Sequence, residues 1–432
     1  MVRAGSMGAC VSSDVTKLTR PPQFASRKST VTARPMSALL AAPSPRAYGG
    51  GMQRRTHQHS PEPGDTVPVW DLGVRVFHWG LIVAVAAAGL TGFVLGRTVL
   101  AWHLAAGTAI VVALAWRLVW GLLGPTYARF HSFWYSPAEL RAHLRGVLGG
   151  AHERHLGHNP LGALMVFALL GMLAAIVCTG TVVLGGLLKQ GPLRTFLSFA
   201  VGRQWLGVHN WLAIALLVMI ALHLAGVAFE SWRGRENLTV AMLTGNKPSL
   251  PPATAAPPER ARVLLALTVM LGGLAVGIAG ITELAALPGR GVPPAEQDPM
   301  VAEQCGACHL AFPASLAPAA TWNGILAGLR RHFGADATLS GEQIAHIRGW
   351  LDANAAEHWD ALPSHLLRQP ADDGSLRITD TPGWRRVHRH IADAVFAAKP
   401  VDRRSDCAAC HADAETGRFA PQQIEIPDTA QP

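Results

Sequence analysis

The sequence predicts an all-α membrane protein that ends in a small, mainly helical domain outside the bilayer. Three observations predict it. Half of the 432 residues are hydrophobic and only 15% are charged, and five apolar stretches are each long enough to cross about 30 Å of hydrocarbon. The charge is split: residues 1–282 hold 24 Lys and Arg against 9 Asp and Glu, and residues 283–432 hold 13 against 19. Only the acidic part carries C-x-x-C-H motifs, at Cys305-Gly306-Ala307-Cys308-His309 and Cys407-Ala408-Ala409-Cys410-His411.

Residues 1–65 form a tail rich in Ser, Pro, Arg and Gly without sustained periodicity, so disorder is expected there. Its run Met36–Ala42 is too short for a signal segment, and Met52 is an alternative start. The apolar stretches follow at Val76–Gly96, Ala101–Leu123, Leu161–Leu188, Trp205–Phe229 and Val263–Ile281. Basic residues near their ends set the orientation. The loop from Gly124 to Pro160 carries Arg129, Arg141, Arg145 and Arg154, and the segment after the fourth stretch carries Arg233, Arg235, Lys247, Arg260 and Arg262. The first hairpin has only Arg97, and the third-to-fourth loop is intermediate with Lys189, Arg194 and Arg203. The N-terminus is therefore expected in the cytoplasm, and five spans put the C-terminal domain on the other side. A Pro-rich linker at 249–262 separates a membrane domain at 66–248 from a fifth span at 263–282, which tethers a domain at 283–432.

Four histidines sit in the apolar stretches: His78, His103, His209 and His223. Ionisable residues at membrane depth are costly and mark function by default. His209 and His223 are 14 residues apart, close to four helical turns, so they share a face about 21 Å apart along the axis. Matching depths pairs His78 with His223 and His103 with His209, and each pair could clamp one haem iron between helices. Elsewhere, His57, His59, His131, His143, His152, His155 and His158 lack a metal-type spacing and read as solvated loop residues. Cys10 and Cys178 read as inert thiols, and there is no further cysteine cluster, Walker motif or Rossmann motif.

A C-x-x-C-H motif supplies two thiols for the vinyl groups of haem and a histidine for its iron. Cys305, Cys308, Cys407 and Cys410 are thus expected to attach two c-type haems, with His309 and His411 as proximal ligands. Such attachment takes place on the periplasmic face of bacterial membranes, which agrees with the charge count. Distal candidates are Met300, His332, His346, His358, His365, His388 and His390. Trp322, Trp350, Trp359 and Trp384 are candidates to pack against porphyrin, with ordinary core packing as the alternative.

The stretches Val69-Trp70-Asp71-Leu72, Arg75-Val76-Phe77-His78-Trp79, Trp102-His103, His158-Asn159-Pro160-Leu161-Gly162-Ala163 and His223-Leu224-Ala225-Gly226-Val227 resemble bacterial cytochrome b561 and nickel-hydrogenase cytochrome b subunits. Arg235-Glu236-Asn237-Leu238, Ala241-Met242 and Gly245 extend the resemblance, which covers about residues 66–248. It implies a four-helix cytochrome b bundle, two haem b groups on the same four histidines in the same pairs, and exchange with membrane quinol. The fifth span and the C-terminal domain depart from that pattern. Glu303-Gln304-Cys305, Arg331-His332-Phe333-Gly334, Arg377-Ile378-Thr379, Pro382 and His388-Arg389 resemble dihaem cytochrome c proteins. That resemblance implies His332 as distal ligand to the first haem c and His388 to the second, with His390 the nearest rival for the second.

The expected function is electron transfer from quinol through two haem b and two haem c groups to a soluble periplasmic acceptor, in the bacterial inner membrane. Reverse flow into quinone is the same wire run backwards. A hydrogenase-type anchor subunit is the nearest alternative, and a dihaem peroxidase with one open iron is the alternative from another class. Expected partners are the membrane quinone pool, a soluble periplasmic cytochrome or oxidoreductase, membrane lipid, and a second copy of the chain in a homodimer. The charge distribution, with basic residues beside apolar runs, argues against nucleic acid.

Overall fold

The computed structural model describes residues 66–95, 99–150, 154–249 and 259–427. The expected disordered tail, Arg97, His57, His59, His152 and most of the Pro-rich linker lie outside the described residues. Among the described residues five helices are long and apolar enough to cross a membrane: Leu72–Leu95, Leu100–Leu123, Pro160–Gly186, Phe199–Gly234 and Val263–Ala286. The chain is a multi-pass membrane protein, and its remaining helices are short.

The first spanning helix, α1 (Leu72–Leu90), is capped by Asp71, whose carboxylate accepts from Gly73 N at 2.8 Å and Val74 N at 3.3 Å. A cap of this kind contributes about 1 kcal/mol. Trp120 Nε1 donates to the same oxygen at 2.9 Å, which fixes α1 against α2 (Leu100–Leu123). A short amphipathic helix, α3 (Pro137–Leu148), follows with a Ser136/Glu139 capping box; the sequence reading had only a loop here. Asn159 and Pro160 start α4 (Pro160–Gly186), and Ser198 starts α5 (Phe199–Gly234). These two helices touch backbone to backbone, since a Cβ on Gly202 would lie 2.2 Å from Leu187 N.

At the centre of the bundle Ala84, Ile110, Leu173 and Leu216 form one buried cluster, one residue from each of α1, α2, α4 and α5. That cluster makes these helices a four-helix core. At the end away from the C-terminal domain, α6 (Leu238–Thr244) leads into a two-stranded antiparallel sheet, β1 (Thr66–Pro68) with β2 (Asn246–Pro248). The sheet was not expected from sequence. Gly245, at φ +90, makes the turn possible and accepts from Val69 N and Trp70 N at 2.9 Å. The fifth spanning helix, α7 (Val263–Ala286), lies outside the four-helix core and packs on α2.

The C-terminal domain consists of α8 (Pro299–Gly306), α9 (Ala319–Ala327), α10 (Gly341–Ala353), α11 (Leu362–Leu367), α12 (Pro382–His388) and α13 (Asp393–Ala397), joined by single turns. Val301, Trp322, Leu326, Ile347 and Leu351 supply its buried core. The loop between α4 and α5 meets this domain. Lys189 Nζ bonds Asp360 Oδ2 at 2.8 Å, and Phe199 stacks on His365 with ring centroids 3.9 Å apart.

Candidate haem-binding sites

One end of the bundle presents two histidines to each other. His103, in the first turn of α2, and His209, on α5, have ring centroids 6.3 Å apart. Both are held in the same way. His103 Nδ1 lies 3.1 Å from Ala88 O and 3.2 Å from Thr91 Oγ1; His209 Nδ1 lies 3.1 Å from Ile176 O and 3.1 Å from Thr179 Oγ1. Each Nδ1–H therefore donates to its neighbours, which fixes the tautomer and leaves Nε2 for a ligand. The residue after each threonine is glycine: a Cβ on Gly92 would stand 3.3 Å from the His103 ring, and one on Gly180 3.1 Å from the His209 ring. The turn that continues from α1, Thr91–Leu95, is a π turn. There Thr91 Oγ1 bonds back to Ala87 O at 2.7 Å while Ala88 O turns to His103, a local irregularity of the sort that gathers at functional sites. These Thr-Gly pairs escaped the sequence reading. The repeated Thr-Gly at 91–92 and 179–180 was the signal.

The C-terminal domain brings two more pairs together. His309 and His332 have ring centroids 6.1 Å apart, and His388 and His411 are 6.2 Å apart. His309 Nδ1 is 2.7 Å from Leu310 O, and His388 Nδ1 is 3.0 Å from Trp384 O. Two imidazoles bonding one metal from opposite sides at about 2 Å, each ring centre about another ångström behind its nitrogen, put the centroids about 6 Å apart. All three separations fit an iron held between two histidines. The other distal candidates are engaged elsewhere: His346 with Asp298, His358 with Asp352 O, His365 with Asp360, and His390 with Arg389. Met300 packs against the domain core.

Neither C-x-x-C pair is closed into a disulfide. Burial, then the Asp406 charge, pushes the Cys407 thiol up to about 11, so it stands protonated near neutral pH. A continuous cavity of about 2530 Å³ joins His103 and His209 to both motifs, well beyond the roughly 300–1,000 Å³ of a pocket for one ligand. Trp322 and Trp384 line it, and Trp384 stacks on His388 at 4.3 Å. Trp350 and Trp359 do not line it; Trp350 packs on the core, the alternative reading for it, and Trp359 bonds Asn354 O.

At the opposite end of the bundle His78 on α1 lies within electrostatic range of His223 on α5. His78 Nδ1 is sealed from solvent and has no hydrogen-bond partner among the described residues. His158 corrects the reading of it as a solvated loop residue. Its ring packs between Trp70 at 4.8 Å and Phe133 at 4.7 Å, because the loop before α4 folds under the bundle. Burial, then the charges of Arg117 and Lys247, drives its pKa far below the ordinary histidine value.

Residues 69–245 match the family described as prokaryotic cytochrome b561, and residues 301–419 match dihaem cytochrome c. A probable Ni/Fe-hydrogenase B-type cytochrome subunit of Azotobacter chroococcum mcd 1 is 24% identical over 211 residues, which is 41% of this chain and 87% of that protein. Its counterpart for hydrogenase 1 in Escherichia coli K12 is 23% identical over 176 residues, 33% of this chain and 73% of that protein. Among solved structures, a diheme cytochrome c from Rhodobacter sphaeroides is 37% identical, covering 28% of this chain and 95% of its own, with a TM-score of 0.25. A diheme cytochrome type c from Shewanella baltica OS155 is 31% identical, covering 31% and 95%, with a TM-score of 0.26.

Proposed function

Residues 69–245 being a prokaryotic cytochrome b561 domain and residues 301–419 a dihaem cytochrome c domain, we propose that this membrane electron-transfer protein carries electrons from quinol to a soluble periplasmic acceptor. Two haem b groups are held by His78 with His223 and by His103 with His209. Two haem c groups are attached at Cys305/Cys308 and Cys407/Cys410, with His309 and His332 on one iron and His411 and His388 on the other. The haems supply one-electron redox chemistry; the chain supplies ligands, spacing and insulation. The protein lies in the bacterial inner membrane with its N-terminus cytoplasmic. Residues 66–248 form the b domain, 263–282 the fifth span, and 283–432 the periplasmic c domain.

The observation that carries this reading is the single cavity lined by three facing histidine pairs, which leads from the bundle into the c domain. His332 facing His309 and His388 facing His411 would leave no open position on a bound iron, which favours electron transfer over a peroxidase chemistry that needs one. The names of the hydrogenase-type relatives favour a second reading, an anchor subunit for a partner oxidoreductase. Against it, the fused c domain already takes a partner's place and is bonded to the bundle by Asp360 through Lys189 and Phe199 N. A redox titration of purified protein tests the proposal. Four low-spin haems are expected, two covalent and two extractable, all reduced by a quinol analogue in membranes. Failure of quinol to reduce any of them, with a hydrogenase-type enzyme copurifying and reducing all, would replace this reading by the second.

A further inference from the structure

The two C-x-x-C-H sites are not equivalent towards the membrane domain. The second is tied to it. Glu425 N donates to Cys410 O at 2.8 Å and Ala412 N to Gln423 O at 3.0 Å, so the segment after the motif is fixed against the motif itself. That segment packs on α2 through Pro421–Gln423. Gln422 also exchanges two hydrogen bonds with Gln190 of the α4–α5 loop, at 3.0 and 3.2 Å. Helix α2 carries His103 only three residues from its start at Leu100, about 4.5 Å of rise. The second motif thus stands on the end of the helix that holds His103, and Leu100, His103, Phe419 and Ile424 line the same cavity.

The first motif has no comparable tie. Among the described residues its hydrogen bonds stay within its own domain: Gln297 Nε2 donates to Ala311 O at 2.8 Å, and His309 Nδ1 to Leu310 O. Cys308 and His309 are exposed, whereas Cys407, Cys410 and His411 are half-buried.

We propose that the 407–411 site is the station next to the membrane domain and the 305–309 site the outer one. Electrons leaving the His103/His209 site then enter the c domain at His411/His388 and leave it at His309/His332. Each passage is a one-electron exchange, one site oxidised as the next is reduced, with no bond made or broken. The assignment rests on the reading of these histidines as haem ligands, but not on quinol being the donor.

The test uses the full-length, haem-loaded protein with Cys10→Ser and Cys178→Ser, spin-labelled at Gln190→Cys. A low-spin ferric haem speeds the relaxation of a nearby nitroxide. Removing the second attachment site (Cys407→Ala with Cys410→Ala) is expected to abolish most of that enhancement, and removing the first (Cys305→Ala with Cys308→Ala) to leave it. The opposite pattern, or equal losses, overturns the order of stations. His388→Ala and His332→Ala, which keep both haems covalently attached, decide the matter if a haem-depleted domain does not fold. Only His388→Ala, by making the near iron high-spin, is expected to change the label's relaxation; a change confined to His332→Ala refutes the order. Reduction by a quinol analogue is read in the labelled protein that keeps both attachment sites. Its failure counts against the quinol reading, while the relaxation pattern still decides the order.

Discussion

Replacing Asp360 is expected to uncouple the c domain from the bundle. Its Oδ2 accepts from Lys189 Nζ and from Phe199 N–H, each at 2.8 Å, and its Oδ1 lies 3.0 Å from His365 Nε2. One carboxylate therefore holds the α4–α5 loop, the start of α5 and the c domain together. The Lys189 side chain is only 6% exposed, so its ammonium has little water to turn to. A hydrogen bond to a charged group contributes about 1.5–3 kcal/mol, and stranding a buried charge costs about 3–5 kcal/mol. Asp360 is itself 29% exposed, and screening moves the value to the low end, about 2–3 kcal/mol for Asp360→Ala. That corresponds to a roughly 30- to 150-fold rise in opening of the interface. Amide hydrogen exchange of peptides spanning 190–202 and 286–294 reads it directly. Lys189→Met combined with Asp360→Leu, which removes both charges, is expected to recover most of the protection. Burial alone would raise the Asp360 carboxyl, but the bonds from Lys189, His365 and Phe199 outweigh it and hold the group below its ordinary value. The clamp is therefore complete above about pH 3.9 and is lost only as pH falls through the depressed value. Unchanged exchange in Asp360→Ala, or loosening already at mildly acidic pH, would refute the reasoning.

Three further outcomes are expected. Gly180→Ala and Gly92→Ala place a methyl 3.1 and 3.3 Å from the His209 and His103 rings; each should lower the ratio of haem b to haem c, Gly180→Ala more, as read by extraction and haemochrome spectra. Thr179→Val removes one of two acceptors at His209 Nδ1. Losing about 1 kcal/mol of support for the oxidised iron raises that haem's potential by up to about 40 mV, measurable by optical redox titration, and no shift would dismiss the threonine as a tuning group. His332→Ala or His388→Ala should each create one carbon monoxide-binding haem in the reduced protein, and the unmodified protein should bind none.

How much of this could be read from the sequence depends on how far apart the interacting residues lie. Hydropathy found all five spans, but it stopped α5 at Phe229 and began it at Trp205. The helix runs from Phe199 to Gly234 because the Ser198 cap and the left-handed Arg235 end it, not the edge of the apolar run. The pairing of His103 with His209 was legible, since helical rise converts sequence position into depth. The supports of those rings were half-legible: Thr91 lies 12 residues before His103, but Thr179 lies 30 before His209, and the unequal loops hide the repeat. The choice of His388 over His390 came only from resemblance, because nothing in their spacing separates them; in the structure His388 faces His411 while Arg389 is held against His390.

The basic residues of the α4–α5 loop show why counting charges gave an intermediate value there. Lys189 is 171 residues from its partner Asp360, and Arg194 reaches 93 residues to Leu287 O at 3.0 Å. No local pattern announces either contact. A positive-inside count assumes that each lysine and arginine faces water and the membrane potential. Lys189 instead bonds the C-terminal domain and Arg194 the end of α7, so they weigh little in orientation and much in docking. The same two contacts fix the loop that carries Gln190, and hence the seat of the 407–411 motif over α2. The residues that blurred the topology signal are therefore the ones that set where the c domain meets the bundle.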